Sequence, residues 1–429
     1  MDMSLTILQD MSAPGNQNVE NSSLKLKRLY YLEREMMRFM GGFLPEVATW
    51  SLKLLLPRHM WEDSLRAGQL RTRILEMRYP RKDVDKDHSP ALQKLIQAIS
   101  RCSNEREFIE GIYFAAKRNL CLAYEEYTAA IDPLDDAPTL EFIARFAPQI
   151  RDQILDMEQY YVQTYGELSQ ATNWQGIIQA YIDEIGGVFG SFESDNPIME
   201  VLLNKPAYVI PEIPKRDPAF EQGVYMVYPQ IPEKFVEKQV WFATIHANEM
   251  WAAEIAAQVL WEWDDMPWDF YMDCARWSYD ETRHTAMGIR RLTSWGFTPG
   301  IDFPMVPEPF KALQGKSSLD KLALLHALEL SAVGSKLDWI HIFETGGDSS
   351  TSQDIDFDWA DESIHLLYGH KWVLHRLGGD LDLLEELKEN ALSYYEAWKS
   401  KVYPTWDYEP FKSRLSNRIQ EIEKIQGVK

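Results

Sequence analysis

Asp280-Glu281-Thr282-Arg283-His284 and Asp361-Glu362-Ser363-Ile364-His365 are two copies of one string, Asp-Glu-x-x-His, set 81 residues apart (280 to 361). On a helix, positions i and i+3 share a face about one turn apart. Each copy therefore turns a carboxylate and an imidazole the same way, as one helix must to give a metal an oxygen and a nitrogen. A lone Glu-x-x-His is a frequent accident; a pair with matched Asp and bundle-like spacing is not. A second pair repeats with it: His246-Ala247-Asn248-Glu249 and His326-Ala327-Leu328-Glu329, 80 residues apart (249 to 329). The chain thus shows an internal repeat, His-Ala-x-Glu followed by Asp-Glu-x-x-His.

Around these strings the pattern predicts four helical segments, about Lys234–Trp263, Trp268–Trp295, Leu319–Glu344 and Asp358–Leu377. Asp264–Pro267 makes the first turn, and Gly296 closes the second segment as a C-cap. A long stretch without helical pattern, Gly296 to Ser317, follows, and Ser318 is placed to cap the third segment. A Gly/Ser/Asp loop, Thr345–Phe357, precedes the fourth, which ends at Gly378–Gly379. Connections that run short, long, short suit two antiparallel pairs joined by one crossover, an all-α four-helix bundle.

In such a bundle Glu249, Glu281, His284, Glu329, Glu362 and His365 converge and are expected to bind a carboxylate-bridged pair of metals. Without metal they would be buried charges lacking partners, at several kcal/mol each. Glu254 competes with Glu249 on the first segment. It lies about 140° around the helix axis, and its repeat partner would be Gly334, which cannot ligate. His246 and His326, one turn before a ligand Glu, are expected to support the ligands rather than bind metal. His341, His370 and His375 read as surface histidines. More carboxylate than nitrogen favours iron over zinc or copper, with manganese or a mixed Fe/Mn pair as the alternative.

The rest of the chain bounds the setting. Its 429 residues include 45% hydrophobic ones, enough for two or three domains with real cores, and the formal net charge is -22. So acidic a chain is a poor partner for nucleic acid or an anionic membrane face. No apolar run approaches the ~18 residues a spanning helix needs. Cys102, Cys121 and Cys274 form neither a disulfide framework nor a Cys-x-x-Cys site. Met1–Glu20 reads as a mobile tail without the basic and apolar regions of a secretory leader, and a cytoplasmic setting is expected. Residues 21–185 read as an N-terminal helical domain interrupted at Pro57, Tyr79–Asp87 and Asp132–Pro138. A Pro-rich connector spans 186–233, the metal-binding bundle 234–380, and a helical extension 381–429.

The four Glu and two Glu-x-x-His together resemble the ferritin-like di-iron carboxylate superfamily. Asp280-Glu281-Thr282-Arg283-His284 is also similar to the Asp-Glu-x-Arg-His string of bacterial multicomponent monooxygenase hydroxylases. There the Asp orients a ligand His, so the resemblance implies that Asp280 and Asp361 hold the imidazoles of the opposite half, with Arg283 pairing to Asp361. Ile364 departs from that string in the second copy. The resemblance implies a non-heme di-iron oxygenase or oxidase that uses two Fe ions and O2 on a small organic substrate. A ferroxidase or iron-handling protein, and a non-catalytic metal-stabilised scaffold, are the competing readings.

By the same resemblance the N-terminal domain reads as a second ferritin-like copy that has lost its metals, with an unrelated helical domain as the alternative. Arg66 in Trp61-Glu62-Asp63-Ser64-Leu65-Arg66 stands where a His would be, balancing Glu33, Glu62 or Glu126. His59 and His88 are the only histidines before His246. Ala253, Ala256, Gly288, Ala332 and Gly369, near the ligands, are small enough either to leave a substrate cavity or to let helices close up. Trp251, Trp277, Tyr279, Trp359 and Tyr368 are near enough in sequence to line the site. Arg276, Arg283, Arg290 and Arg291 form a basic stripe suited to a ferredoxin-type reductase, or to internal ion pairs. A homodimer is compatible with all of these readings.

Overall fold

The computed structural model describes residues 18–86, 89–166, 173–190, 197–220, 223–224 and 230–426. Most of the tail expected at 1–20, His88 and parts of the Pro-rich connector lie outside these residues. Among the described residues the protein is all-α. Its helices are α1 (Val19–Phe43), α2 (Trp50–Glu76), α3 (Pro90–Ile99), α4 (Glu105–Ile109), α5 (Arg118–Ala130), α6 (Ala137–Ile143), α7 (Phe146–Tyr165), α8 (Asn173–Glu184) and α9 (Pro197–Leu203). Then follow α10 (Phe235–Asn248), α11 (Met250–Glu262), α12 (Trp268–Ser294), α13 (Glu308–Ala312), α14 (Ser318–Val333), α15 (Lys336–Thr345), α16 (Ser349–Arg376), α17 (Leu381–Val402) and α18 (Glu409–Gln426). A π-helical stretch, Glu110–Lys117, joins α4 to α5. No described helix is long and apolar enough to cross a membrane.

The chain divides into two compact units, one of Met1–Met37 with Glu62–Val209, the other of Arg38–Trp61 with Ile210–Lys429. The boundaries fall inside α1 and α2, so the segment 38–61, which the sequence groups with the N-terminal domain, clusters with the second unit. Pro57, expected to break a helix, lies inside α2. Leu52, Leu56 and Met60 around it are fully buried, and this packing outweighs the ~3 kcal/mol a mid-helix proline costs.

In the second unit α12 packs on both α10 and α11, α16 on both α14 and α15, and the two pairs meet through α11 with α14 and α12 with α16. The cap at Gly296 is a Schellman turn. Gly296 takes a positive φ of 83°, and the Phe297 N–H donates to Leu292 O at 3.0 Å. Leu292 and Phe297 then join one apolar core with Val236, Val240 and Ala243, completed by Phe411, Leu415 and Ile419 of α18. Gly288 lets α12 press against α10, since a Cβ there would meet the backbone of Ala243, His246 and Ala247. Gly369 of α16 abuts the His326 ring in the same way. Both glycines therefore serve close packing.

The segments differ from the expected ones in four places. The third segment is capped by Ser317 rather than Ser318, because Asp320 at N3 answers it in a reciprocal capping box. The fourth begins at Ser349, not Asp358. Asp348 accepts from Thr351 N and starts the helix through a Ser/Thr-rich run whose weak propensity suggested a loop. The first and third segments are each interrupted. At Glu249 the amide donates to His246 O (3.0 Å), three residues back, instead of continuing the ladder. Gly334–Ser335 separates α14 from α15.

Candidate metal centre

Glu249 at the α10–α11 interruption, Glu281 and His284 of α12, Glu329 of α14, and Glu362 and His365 of α16 come together in the second unit. Their ligating atoms form groups within 4.8 Å of one another that could hold a metal ion. His284 Nδ1 lies 3.5 Å from Glu249 Oε2, 3.5 Å from Glu281 Oε2 and 4.0 Å from Glu362 Oε1. His365 Nδ1 lies 3.1 Å from Glu281 Oε1, 3.7 Å from Glu329 Oε1 and 3.7 Å from Glu362 Oε2. Glu281 and Glu362 thus each give one oxygen to either imidazole. Glu249 belongs to the His284 side alone and Glu329 to the His365 side alone. The imidazole rings are 6.0 Å apart.

The outer nitrogens are held crosswise. His284 Nε2 faces Asp361 Oδ2 at 3.3 Å, and His365 Nε2 faces Asp280 Oδ2 at 3.5 Å. An Nε2–H on these carboxylates leaves Nδ1 with its lone pair toward the cluster. Arg283 ties the two Asp together, donating to Asp280 (2.7 Å) and Asp361 (2.9 Å). Arg276 does the same at 2.5 and 3.3 Å. Of the basic stripe, Arg291 is buried between His246 and Asp354, and Arg290, although paired with Asp354 at 2.6 Å, remains 66% exposed. The stripe is thus mainly internal pairing.

Glu254 stands apart, held by Lys53 and by both terminal nitrogens of Arg216 (2.8 and 2.9 Å). His246 reaches the site indirectly, its Nε2 at 3.2 Å from Asp358. His326 packs against Gly369 and near His370, away from the ligands. His341, His370 and His375 are exposed. Three groups beside the cluster carry no signal in the repeat. Trp277 stacks on His365 and donates from its indole to Glu281 (3.2 Å) and Glu329 (2.8 Å). Asp358 joins His284 and Glu362 in a further potential metal-holding group, and Lys336 pairs with it. The one available sequence signal is that Asp358 precedes Glu362 by four, on the same helix face.

Burial shapes the electrostatics. Burial, then the neighbouring carboxylates, raise Glu249, Glu329 and Glu362 above the ordinary carboxylate range. Burial alone would lower His284, but Asp358, Asp361 and Glu281 outweigh it and lift the imidazole well above its usual value. His365 rises likewise, through Asp280, Glu281 and Glu362. Burial takes His246 down to about 3 despite its bond to Asp358.

A cavity of about 260 Å³ opens onto Glu249, Glu281, Glu329 and Glu362. Its walls are Trp241, Phe242, Ile245, Trp251, Ala252, Leu325, Leu328, Ala332 and Trp339, with His246, Ser335 and Lys336 as the remaining polar groups. Of the aromatic residues expected near the site, Trp251 lines the cavity, and Tyr368 lies beside Trp277 and His365.

The first unit has a buried polar centre of another kind. Arg66 of α2 donates to both oxygens of Glu33 of α1 (2.7 and 3.2 Å) and pairs with Asp63. Lys117, at the end of the π-helical stretch, donates to Asp63 (2.6 Å) and to Gln153 of α7 (2.6 Å). The guanidinium partners are therefore Glu33 and Asp63. Glu126 is exposed on the surface, and Glu62 accepts from the Gln153 amide (2.7 Å). Two buried cations here face two buried carboxylates.

The model of a family described as protein of unknown function (DUF455) matches residues 181–402, a stretch that contains every residue of the metal-holding cluster. No curated protein and no solved structure matches the chain.

Proposed function

The chain belongs to the DUF455 family, and we propose that it is a ferritin-like, non-heme di-iron oxidoreductase that uses O2 to oxidise a small, largely apolar organic molecule. The observation that carries this reading is a convergence of buried carboxylate and imidazole atoms that do not satisfy one another. Glu249 Oε2, His284 Nδ1, Glu329 Oε2, Glu362 Oε2 and His365 Nδ1 are buried, converge on one place, and lack hydrogen-bond partners among the described residues. Bare buried donors and acceptors of this kind are strongly unfavourable. Two divalent cations held by these residues would satisfy them and neutralise the four glutamates. The remaining charges balance already, Asp358 with Lys336 and Asp280 and Asp361 with Arg276 and Arg283.

Two iron ions bound here would supply the redox chemistry, two electrons for O2 coming from the ferrous pair and two from the substrate, with an external ferredoxin-type reductant restoring the ferrous pair. The protein's own part is positional. Glu281 and Glu362 straddle the two positions, Glu249 and Glu329 each close one, and the Asp–Arg lattice fixes both imidazoles in one tautomer. The aromatic walls keep water away and hold the substrate against the glutamates. A cavity of about 150 Å³ accommodates benzene, so about 260 Å³ suits a single ring with a short substituent. The same walls favour an enzyme over a ferroxidase, which needs a hydrated route for ferrous ions.

The first unit fits a second copy of the same bundle in which Arg66 and Lys117 stand in for metal charge. The test of the main reading is anaerobic loading with Fe(II), metal analysis, and O2 uptake. About two irons per chain and O2 consumption coupled to oxidation of a small aromatic support it. A reduced protein stable in air, or one that releases Fe(III) as mineral, sinks it.

A further inference from the structure

The repeat that aligns Glu281 with Glu362 also aligns Trp277 with Asp358, both pairs being 81 residues apart (281 to 362, 277 to 358). Each precedes by four residues, about one turn, a glutamate that straddles the two imidazoles, and each is 0% exposed. Their chemistry is opposite. The indole of Trp277 is only a donor, and it covers oxygens of Glu281 and Glu329 on the His365 side. Asp358 is only an acceptor. Its Oδ2 is taken by Lys336 Nζ and by His246 Nε2, while its Oδ1 has no hydrogen-bond partner among the described residues and lies 3.7 Å from His284 Nδ1.

Resting on the metal reading above, we propose that Asp358 is a seventh ligand, binding through Oδ1 the metal held by His284 and Glu249, so that the two metal positions are chemically unequal. Lys336 is placed to make this tolerable. Paired with Oδ2, it cancels the added charge. His246 fixes the same oxygen and is itself anchored by Arg291 at 2.6 Å. Both act as positioning residues that turn the free oxygen toward the cluster. The His365 side gains no carboxylate at the matching place, because Trp277 occupies it. The ion beside His284 therefore has the richer anionic set and binds first. The ion beside His365, with fewer protein ligands, is the one that takes an external small ligand.

Fe(II) titrated anaerobically into the full chain, with metal analysis and Mössbauer spectra of the ⁵⁷Fe-loaded protein, tests this without relying on turnover. The expected wild-type result is two-step binding and two iron environments in equal amount. Asp358→Asn keeps the size and an acceptor for Lys336; it is expected to weaken one iron by about tenfold or more and to change one environment only. Trp277→Phe is expected to leave the environment beside His284 unaltered. Wild-type binding and spectrum in Asp358→Asn, or a single environment in the wild type, overturns the seventh ligand and leaves the metal centre standing. A wild type that binds no iron overturns the centre itself. Should the Asn variant fail to fold, the wild-type spectrum decides alone.

Discussion

Asp361 stands 3.3 Å from Nε2 of His284, a residue of the other half of the repeat. Asp280 reaches back to His365 in the same way. Each half thus orients the other's imidazole, so removing one Asp should loosen a candidate ligand of the opposite half. Asp361→Asn is expected to lower metal affinity about 10- to 100-fold with helix content unchanged. Equilibrium dialysis beside far-UV circular dichroism reads both; an unchanged affinity shows that the contact orients nothing.

Removing both straddling glutamates should abolish the centre. Glu281→Ala with Glu362→Ala is expected to leave less than one metal per chain, measured by elemental analysis. Full loading of that variant would place the ligands elsewhere.

The raised pKa values give a pH signature. His284, His365, Glu249, Glu329 and Glu362 all titrate above their ordinary values in the metal-free chain. A raised folded-state pKa contributes stability below the unfolded value and loses it as pH rises through the folded one. Glu281, pulled down by the two neighbouring imidazoles in spite of burial, acts oppositely, losing its contribution only as pH falls below the ordinary carboxylate value. The metal-free protein should therefore lose thermal stability from about pH 5 to about pH 8. Metal binding should release protons, so affinity rises over the same interval. Melting curves of chelated and loaded protein check the first trend, and calorimetry in buffers of different ionisation enthalpy the second.

Filling the cavity should separate substrate from metal. Ala332→Phe puts a ring into the space beside Leu328 and Trp339. Neutral toluene should quench the wild-type tryptophan fluorescence and fail to do so in the variant, at equal iron content. Equal quenching by both would show that the space is not the binding site.

In the first unit, Arg66→Met leaves Glu33 and Asp63 with one cation fewer at zero exposure. A loss of about 3–5 kcal/mol in urea unfolding is expected, the usual cost of breaking a buried pair from one side. A loss under ~1 kcal/mol, the range of exposed pairs, would show that the buried network does not hold the unit together.

The six ligand candidates were legible because a repeat exposes what a single motif hides, and the caps at Gly296 and near Ser317 because their residues act locally. Asp358 was hidden for the converse reason: it is where the two halves cease to match, with Trp277 opposite. The interruptions at Glu249 and Gly334–Ser335 were equally silent. No glycine or proline marks the break at Glu249, and beside it Asn248 bonds Pro304 O and Val306 N, a contact far away in sequence. Asp63 and Lys117 carry no local signal, since only the packing of α1, α2 and α7 brings them together.

Gly288 has a further role. It sits one turn beyond His284, and the strand of backbone it touches, Ala243 to Ala247, ends two residues short of Glu249. A methyl group at 288 would act as a shim, prising α12 from α10 and widening the gap between the imidazole and that glutamate. The bite of the centre on its His284 side is thus gauged by a single hydrogen atom, in a place that contacts no ligand.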